Sequence, residues 1–390
     1  MPFPLRPHIA AATLAAAAML TAACTTSTTS SIATSTSAQN SPTTANTSTT
    51  GSLARPSGSA SVGASTSSAA PTRLAEPAGQ FTMSFAGDVH FSGRVRARLD
   101  ADPAAVFGSA APGLARADLT MVNLETAITT GGDQQSKEFT FRAPPKALLA
   151  LRDAGIDVAT MANNHGADYG ASGLRDSLAA IAKYRFPVVG IGKDAAAAFA
   201  PYRTTLNGVR VAIFAADQVQ DETTLRLFSA GADSPGVANA YSPKLITAVR
   251  TAKAAGDVVV VYVHWGVEYH TCPSADQTRL AGELADAGAS AVVGAHAHVL
   301  QGAGWRADGT YVEYGLGNYL WWMSFGNDQD DNGVLTLTFR QGKVVANHFA
   351  PSHLDDRGVP VPATGPAKRR IAAEWNADRG CADLAANPPG

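Results

Sequence analysis

Residues 290–299, SAVVGAHAHV, combine a short apolar run with two histidines. The apolar residues 291–293 are typical of a buried strand, and Gly294 ends the run. His296 and His298 follow with one small residue between them, so on an extended backbone both side chains project to the same side. Imidazole nitrogen is the commonest side-chain ligand of transition metals, and the pair therefore predicts a metal site just past a strand end. An isolated pair of this kind is more often two surface histidines, so the interpretation depends on the rest of the chain.

Four other apolar runs end in carboxylate, amide or imidazole side chains. They are FTMSFAGDVH at 81–90, LTMVNLE at 119–125, VATMANNH at 158–165 and VVVVYVHWG at 258–266. Buried polar groups cost free energy unless they are partnered, so five such runs indicate one shared site. Strand-like and helix-like segments alternate along the chain, which predicts an α/β fold with largely parallel sheets. Residues 217–240 have no clear periodicity and are predicted to form a long surface loop.

The ordered motifs resemble those of the CapA family. Members of that family are associated with poly-γ-glutamate capsule synthesis and are related to the calcineurin-like metallophosphoesterases. The resemblance covers residues 81–351 and implies a calcineurin-like metallophosphoesterase sandwich, in which two packed mixed sheets are flanked by helices. The motifs that carry it are Asp88-x-His90, Asn123-x-Glu125, Asn163-Asn164-His165, His264-Trp-Gly, Gly294-Ala-His296-Ala-His298 and Gly315-x-Gly-Asn318.

Seven side chains are candidate metal ligands. They are too many for one tetrahedral zinc ion, and they suit two divalent ions that share a bridging carboxylate. Their mixed nitrogen and oxygen donors favour Mn, Fe, Zn or Co over Ca or Mg. The candidates are Asp88, His90, Glu125, Asn164, His264, His296 and His298.

The resemblance divides these donors between the two ions. One set is Asp88, His90 and His298, and the other is Asn164, His264 and His296. Glu125 stands where the wider superfamily has a bridging aspartate, and this departure adds a methylene that changes the reach of the bridge.

Three further residues are assigned to the reaction or to the substrate. By resemblance, His165 is the general acid that protonates the leaving group, and Asn123 supports a ligand or contacts the substrate. Arg142 is a candidate substrate-binding residue, because a guanidinium can bind carboxylate or phosphate with two hydrogen bonds. Two metal ions would activate water for attack on phosphorus or on a carbonyl carbon, so the substrate is predicted to be a phosphoester or an anionic envelope polymer.

Composition and missing motifs exclude several function classes. The formal net charge is −2, which provides no basic footprint for nucleic acid. The chain has no Gly-x-Ser-x-Gly elbow and no Gly-Lys-Ser/Thr phosphate loop, which argues against a serine hydrolase and an NTP-driven ligase. Any ligase for polymer synthesis is therefore expected to be a separate membrane polymer synthase that acts as a partner.

The amino-terminal segment is predicted to direct export. Residues 1–24 show the order of a secretory signal, and the position of Cys24 resembles a bacterial lipoprotein signal. Thr21 is a departure, because a large aliphatic residue usually stands there. Residues 25–75 are rich in Ser and Thr and are predicted to be a disordered tether. The protein is thus expected on the outer face of the cell membrane, anchored by a lipid on Cys24; ordinary cleavage near Ala23 and an uncleaved anchor are the alternatives.

The remaining chain is divided into one domain and a carboxyl-terminal segment. Residues 78–352 are predicted to form the CapA-type domain, and residues 353–390 a carboxyl-terminal tail. Outside the cytoplasm, Cys272 and Cys381 tend to oxidise, so a disulfide between them is predicted. Two free thiols are the alternative, and Cys272 as a metal ligand fits the hard donor set poorly.

Three functions are compatible with these observations. The first is a binuclear metal-dependent hydrolase of the cell envelope. The second is a non-hydrolytic accessory factor that binds metal and helps to export or anchor a capsule or another polyanion. The third is a structural lipoprotein whose site has degenerated.

Overall fold

A computed structural model describes residues 78–219, 221 and 223–390. The predicted signal segment, the tether and the lipidation site Cys24 lie outside these residues. Within the described ranges, none of the helices has both the length and the apolar character needed to cross a membrane.

The strands and helices of the described part follow the chain in mixed order. The strands are β1 (Gln80–Val89), β2 (Leu119–Leu124), β3 (Ala127–Ile128), β4 (Arg142–Ala143), β5 (Val158–Thr160), β6 (Val188–Val189), β7 (Ile191–Gly192), β8 (Tyr202–Leu206), β9 (Val209–Asp217), β10 (Gly236–Val237), β11 (Val258–His264), β12 (Ala291–Ala295), β13 (Ala303–Trp305), β14 (Tyr311–Glu313), β15 (Asn318–Leu320), β16 (Asp331–Arg340), β17 (Lys343–Leu354) and β18 (Pro360–Pro362). The α-helices are α1 (Gly93–Ala101), α2 (Ala111–Leu114), α3 (Ala147–Asp153), α4 (Gly170–Tyr184), α5 (Ala195–Ala198), α6 (Thr224–Phe228), α7 (Pro243–Ala254), α8 (Ala275–Asp286) and α9 (Gly365–Ala377).

Two mixed sheets form the centre of the fold. The larger sheet has the order β18-β17-β16-β1-β2-β5-β6, and β15 also pairs with β1. Its β1, β2, β5 and β6 are parallel, whereas β16, β17 and β18 are antiparallel. The smaller sheet has the order β13-β14-β12-β11-β9-β8, with a parallel centre and antiparallel edge strands. The prediction of an α/β fold with two mixed sheets and flanking helices is confirmed.

The sheets pack against each other through strands that are apolar on both faces. In β11, Tyr262 and the alternate valines before it join the core that contains the β1 and β2 side chains. Val261 and its alternate neighbours pack instead with the buried faces of α7 and α8. The Tyr262 hydroxyl donates to the Ala86 carbonyl at 2.9 Å and so links the two sheets directly. Burial on both faces explains why β11 reads as a continuous apolar run.

The segment 217–240 is not the long surface loop that its sequence predicted. It contains α6 and β10, and β10 pairs with β7 through Val237 and Ile191. Thr224 and Val237 are both buried completely. That prediction was wrong because elements of two to five residues carry too little periodicity to detect and depend on pairing with distant residues.

Residues 353–390 contribute to the fold instead of trailing from it. They include the end of β17, the edge strand β18 and the helix α9, whose Ile371 and Trp375 are buried. The disulfide between Cys272 and Cys381 connects this segment to the loop before α8.

Loss of the disulfide is expected to destabilise the folded chain. The two cysteines are 109 residues apart, and the chain-entropy model gives a contribution of roughly 4 kcal/mol for a loop of this size. Urea unfolding should therefore show a lower free energy of unfolding for the double variant Cys272→Ser, Cys381→Ser. Reductant should lower the stability of the wild-type chain and leave the double variant unchanged. Equal stability of the oxidised wild type and the double variant would contradict this expectation.

Candidate metal centre

The candidate ligands meet where strands of both sheets end. Asp88 lies near the end of β1, and Glu125 directly follows β2 in the larger sheet. His264 ends β11, and His296 directly follows β12 in the smaller sheet. The parallel strands bring their carboxyl ends to one edge, and the facing sheets bring the two sets together. All seven predicted ligands are buried.

The backbone around the centre requires glycine and tolerates unusual conformations. A Cβ atom at Gly87 would lie 1.9 Å from the Gly317 carbonyl oxygen, and one at Gly294 would lie 2.2 Å from the Tyr314 carbonyl oxygen. His296 and His298 have φ values of 99° and 56°, which non-glycine residues seldom adopt. Such strain is typical of functional sites, where the surrounding structure enforces it.

Three groups of side chains have the spacing of metal ligands. Glu125, His264 and His296 form one group whose ligand atoms lie within 4.8 Å of one another. Asp88, Glu125 and His298 form a second group with the same spacing. Glu125 belongs to both groups, which is the placement expected of a bridging carboxylate. The third group, Glu268, His296 and His298, adds a carboxylate that the sequence analysis missed.

The chemistry of these atoms fits divalent metal ions. Neither carboxylate oxygen of Glu125 has a hydrogen-bond partner among the described residues, although both are buried. The Nδ1 atom of His296 is also buried without a partner. A buried carboxylate without a partner is costly, and a bound cation removes that cost.

Asn164 and His90 occupy different positions relative to these groups. The amide oxygen of Asn164 lies 2.9 Å from His264 Nε2, so it is beside the first group. His90 belongs to none of the groups found among the described residues. Its Nε2 atom accepts a hydrogen bond from the Trp322 backbone N–H at 3.1 Å, and its Nδ1 atom has no partner there.

Asn123 contacts two of the candidate ligands. Its Nδ2 atom donates to Asp88 Oδ1 at 2.8 Å and lies 3.1 Å from His264 Nδ1. Its Oδ1 atom accepts from Asn163 Nδ2 at 2.9 Å. Asn123 is completely buried, and its contacts link three of the motifs. Its role as a support for the ligands stays a prediction.

Burial gives the imidazoles the protonation state that binds metal. It lowers the pKa of His264 to about 3 and, helped by neighbouring histidines, lowers the pKa of His90 and His296 well below the usual value. Burial raises the pKa of Asp88, but hydrogen bonds and charges from His298 and other neighbours outweigh it, and the net shift is downward. Burial and the charge of Asp88 raise the pKa of Glu125 well above its usual range. Neutral imidazole is the form that ligates metals.

His165 is oriented by a carboxylate that the sequence analysis did not assign. Its Nδ1 atom lies 2.6 Å from Asp168 Oδ2, and its Nε2 atom lies 3.9 Å from Glu125 Oε1. Asp168 also accepts from the Phe141 backbone N–H at 2.6 Å and pairs with Lys137 at 2.8 Å. Asp168 follows His165 by three residues, and this spacing was the only sequence signal for the pair.

Arg142 lies apart from the metal ligands. Its guanidinium stacks over the Tyr169 ring at 4.7 Å and donates to the Gly131 carbonyl at 3.4 Å. Its substrate-binding role stays a prediction.

A small pocket of about 90 Å³ opens beside His165 and His298. We call it the aromatic pocket because six of its lining residues are aromatic rings. Its other lining residues are Glu268, Gln329 and the two histidines, and the rings are Phe139, Phe141, Tyr269, Trp321, Trp322 and Phe325.

Comparisons with known proteins agree with the motif resemblance. Residues 82–321 match the family described as "Bacterial capsule synthesis protein PGA_cap". The chain is 31% identical over 257 residues to the PGA biosynthesis protein CapA of Bacillus subtilis, covering 64% of this chain and 65% of that protein. It is 28% identical over 315 residues to the capsule biosynthesis protein CapA of Bacillus anthracis, covering 77% and 74%.

Two more distant similarities complete the comparison. A probable polyglutamine synthesis accessory protein of Mycobacterium tuberculosis is 30% identical over 189 residues, which cover 46% of this chain and 50% of that protein. A crystal structure of a novel phosphatase from Mycoplasma pneumoniae aligns with a TM-score of 0.45 at 14% identity, covering 76% of this chain and 98% of the phosphatase.

Metal binding is expected to release protons and to strengthen as pH rises. The pKa of Glu125 is raised, so the metal-free chain retains a proton there that a cation must displace. Calorimetric titration with Mn²⁺ in two buffers of different ionisation enthalpy measures the number of protons released.

The same titration is repeated with one test variant and one control variant. Glu125→Gln should release fewer protons and bind Mn²⁺ at least about tenfold more weakly. His348→Ala is the matched control, because His348 is an exposed histidine on β17. An affinity that does not change between about pH 6 and about pH 8 would contradict the expected proton displacement.

Proposed function

This chain belongs to the bacterial capsule synthesis protein PGA_cap family, and we propose that it is a metal-dependent hydrolase of the phosphoesterase type. Its substrate would be a phosphoester or an anionic polymer of the cell envelope, such as poly-γ-glutamate. The observation that supports this proposal best is the pair of ligand groups that share Glu125. Their arrangement suits two divalent ions. Mixed imidazole and carboxylate donors favour Mn, Fe, Zn or Co.

The chain's own residues define how such a site would work. Glu125 and Asp88 would supply the negative charge that holds the cations, and His264, His296 and His298 would supply nitrogen donors. When bound, two ions of Mn, Fe, Zn or Co would provide Lewis-acid stabilisation for hydrolytic attack at phosphorus or at a carbonyl carbon.

His165 would handle the proton of the leaving group. Burial lowers its pKa, although Asp168 opposes that shift, so His165 is largely neutral before substrate binds. A negatively charged substrate beside its Nε2 atom would raise the pKa of His165, so that the imidazole takes up a proton. Asp168 would keep the ring oriented through the Nδ1 contact of 2.6 Å.

A second candidate function is a non-hydrolytic, metal-binding accessory factor for capsule or polyanion export and anchoring. The description of the Mycobacterium tuberculosis relative as a probable synthesis accessory protein favours it. In that case no substrate would be turned over, and polymer binding would depend on the metal ions and on Arg142. A separate membrane polymer synthase would be the partner under either function.

Export and lipid attachment belong to the same proposal. The signal-like residues 1–24 and the Ser- and Thr-rich residues 25–75 would place the domain at the outer face of the membrane.

Replacement of the proposed acid should separate catalysis from metal binding. His165→Ala is expected to lower kcat about 10²-fold to 10⁴-fold on whichever phosphoester or γ-glutamyl amide is hydrolysed, while metal content stays at the wild-type level. Asp168→Asn should lower kcat less, because the ring remains and only its orientation is weakened. Steady-state kinetics with metal analysis checks both, with His348→Ala as control. Unchanged kcat in His165→Ala would rule out this residue as the acid.

Mass spectrometry of the intact protein can test the proposed lipid anchor. Protein isolated from the membrane should begin at Cys24 and carry a diacylglyceryl group, and Cys24→Ala should release the chain from the membrane fraction. A cleaved, unmodified amino terminus would contradict the proposed anchor.

A further inference from the structure

Six aromatic rings line the aromatic pocket, and some of them meet at steep angles. The Phe141 and Trp321 rings meet at 69° with centroids 6.1 Å apart. The Trp322 and Phe325 rings meet at 88° with centroids 6.4 Å apart. Rings set at steep angles enclose a volume, whereas parallel rings would close it by stacking. The arrangement is a partial cage next to the metal centre.

Two rings at the pocket are exposed at a cost in free energy. Phe139 is 51% exposed and Tyr269 is 56% exposed, although both are large and apolar. Tyr269 is also held at a φ of 65°, with its N–H donating to the Ala297 carbonyl at 2.7 Å. Phe139 and Tyr269 thus present aromatic surface beside the site, and the strained backbone of Tyr269 is a feature that clusters at functional sites.

The loop that carries part of the wall is fixed by one buried carboxylate. Asp330 accepts from the backbone N–H groups of Phe325 and Gly326 at 2.8 and 2.7 Å, and from the Ser324 hydroxyl at 2.7 Å. Asp330 is buried, so these bonds are sheltered from water. Phe325 and Gln329 therefore line a built pocket.

The charges around the pocket are negative. None of its lining residues is Lys or Arg, and Glu268 lies on its wall. Burial and the charges of Glu268 and Glu138 raise the pKa of Tyr269, so a second carboxylate lies near the same ring. Lys137 is the neighbouring cation, and it is already paired with Asp168 and Asp221 at 2.8 and 3.0 Å.

We propose that the aromatic pocket is a subsite for a primary ammonium group of the substrate, next to the bond that is cleaved. Aromatic faces attract cations through their quadrupoles, and the Glu268 carboxylate adds an ion pair at the wall. Among the lining residues, a carboxylate of an anionic polymer would find no lysine or arginine to pair with. The pocket is small, so it suits a chain end and not the middle of a polymer.

This inference rests on the proposed hydrolase function and specifies its substrate. A primary ammonium beside a hydrolysable bond occurs at the free amino end of a polyamide chain and in an aminoalkyl phosphoester. The shared chemistry is the ammonium group, and the test distinguishes the two sources.

Binding is measured first, without any reaction. The full-length, metal-loaded chain is titrated with ethylammonium or with ethanol, which has the same number of heavy atoms, and quenching of tryptophan fluorescence is followed. Ethylammonium should bind at least about tenfold more tightly than ethanol. Glu268→Gln and Trp322→Leu should each remove most of that difference, because the first removes the charge and the second removes the ring while keeping apolar volume. Glu283→Gln, an exposed carboxylate on α8, is the control.

Turnover is measured second, with substrate pairs that differ only in the ammonium group. One pair is p-nitrophenyl 2-aminoethyl phosphate and p-nitrophenyl ethyl phosphate, and the other is 4-aminobutyryl-p-nitroanilide and pentanoyl-p-nitroanilide. The ammonium member of one pair should have a kcat/KM at least about tenfold higher, and the two pocket variants should lose this preference. The pair that is turned over identifies the source of the ammonium.

The outcomes separate this inference from the proposed function. Turnover without a preference for ammonium would overturn the subsite and leave the hydrolase proposal intact. Selective ethylammonium binding that the variants abolish, with no turnover of either pair, would support the subsite and count against the hydrolase. Equal binding of ethylammonium and ethanol would overturn the subsite. Loss of metal from Glu268→Gln would assign Glu268 to the metal ligands and overturn its place in the subsite.

Discussion

The burial of two carboxylates in one site is the constraint on which the rest of this structure depends. Asp88 and Glu125 are completely buried and close enough to share ligand groups with the same histidine, His298. Two like charges in a low-dielectric region repel and are poorly solvated, so Glu125 retains its proton until a cation displaces it. Burial keeps the His264 and His296 imidazoles neutral, so these two side chains do not provide that charge. The donor set suits divalent metal ions, which would supply positive charge to the site.

The surrounding structure keeps this unfavourable arrangement in place. Asn123 connects Asp88 to His264 through one amide, and Gly87 and Gly294 allow backbone segments to approach more closely than any side chain would permit. These contacts join strand ends from two different sheets. The interface between the sheets thus supports the candidate metal centre, and Tyr262, whose hydroxyl links the sheets, lies in the same strand as His264.

The site has two neighbourhoods with different chemistry. Asp168, which is paired with Lys137, orients His165 in a network of charged groups. His165 also lines the aromatic pocket, whose other lining residues include Glu268 and no lysine or arginine. A substrate that spans the metal centre would meet both environments. The two environments meet at His165, which contacts both Asp168 and the aromatic ring of Phe141.

The local sequence predicts most of the residues of the candidate metal centre and few of the residues around it. Apolar runs that end in polar residues identify the strands, the parallel sheets and the seven candidate ligands, because strand periodicity and strand endings are local properties of a chain. The position of Glu125 in two ligand groups, the exclusion of His90 from them and the exposed carboxylate of Glu268 depend on how strand ends from separate sheets meet. The aromatic pocket draws on segments near residues 140, 268 and 322, and no periodicity connects such distant residues. Long-range packing, which joins residues regardless of their separation along the chain, determines these features.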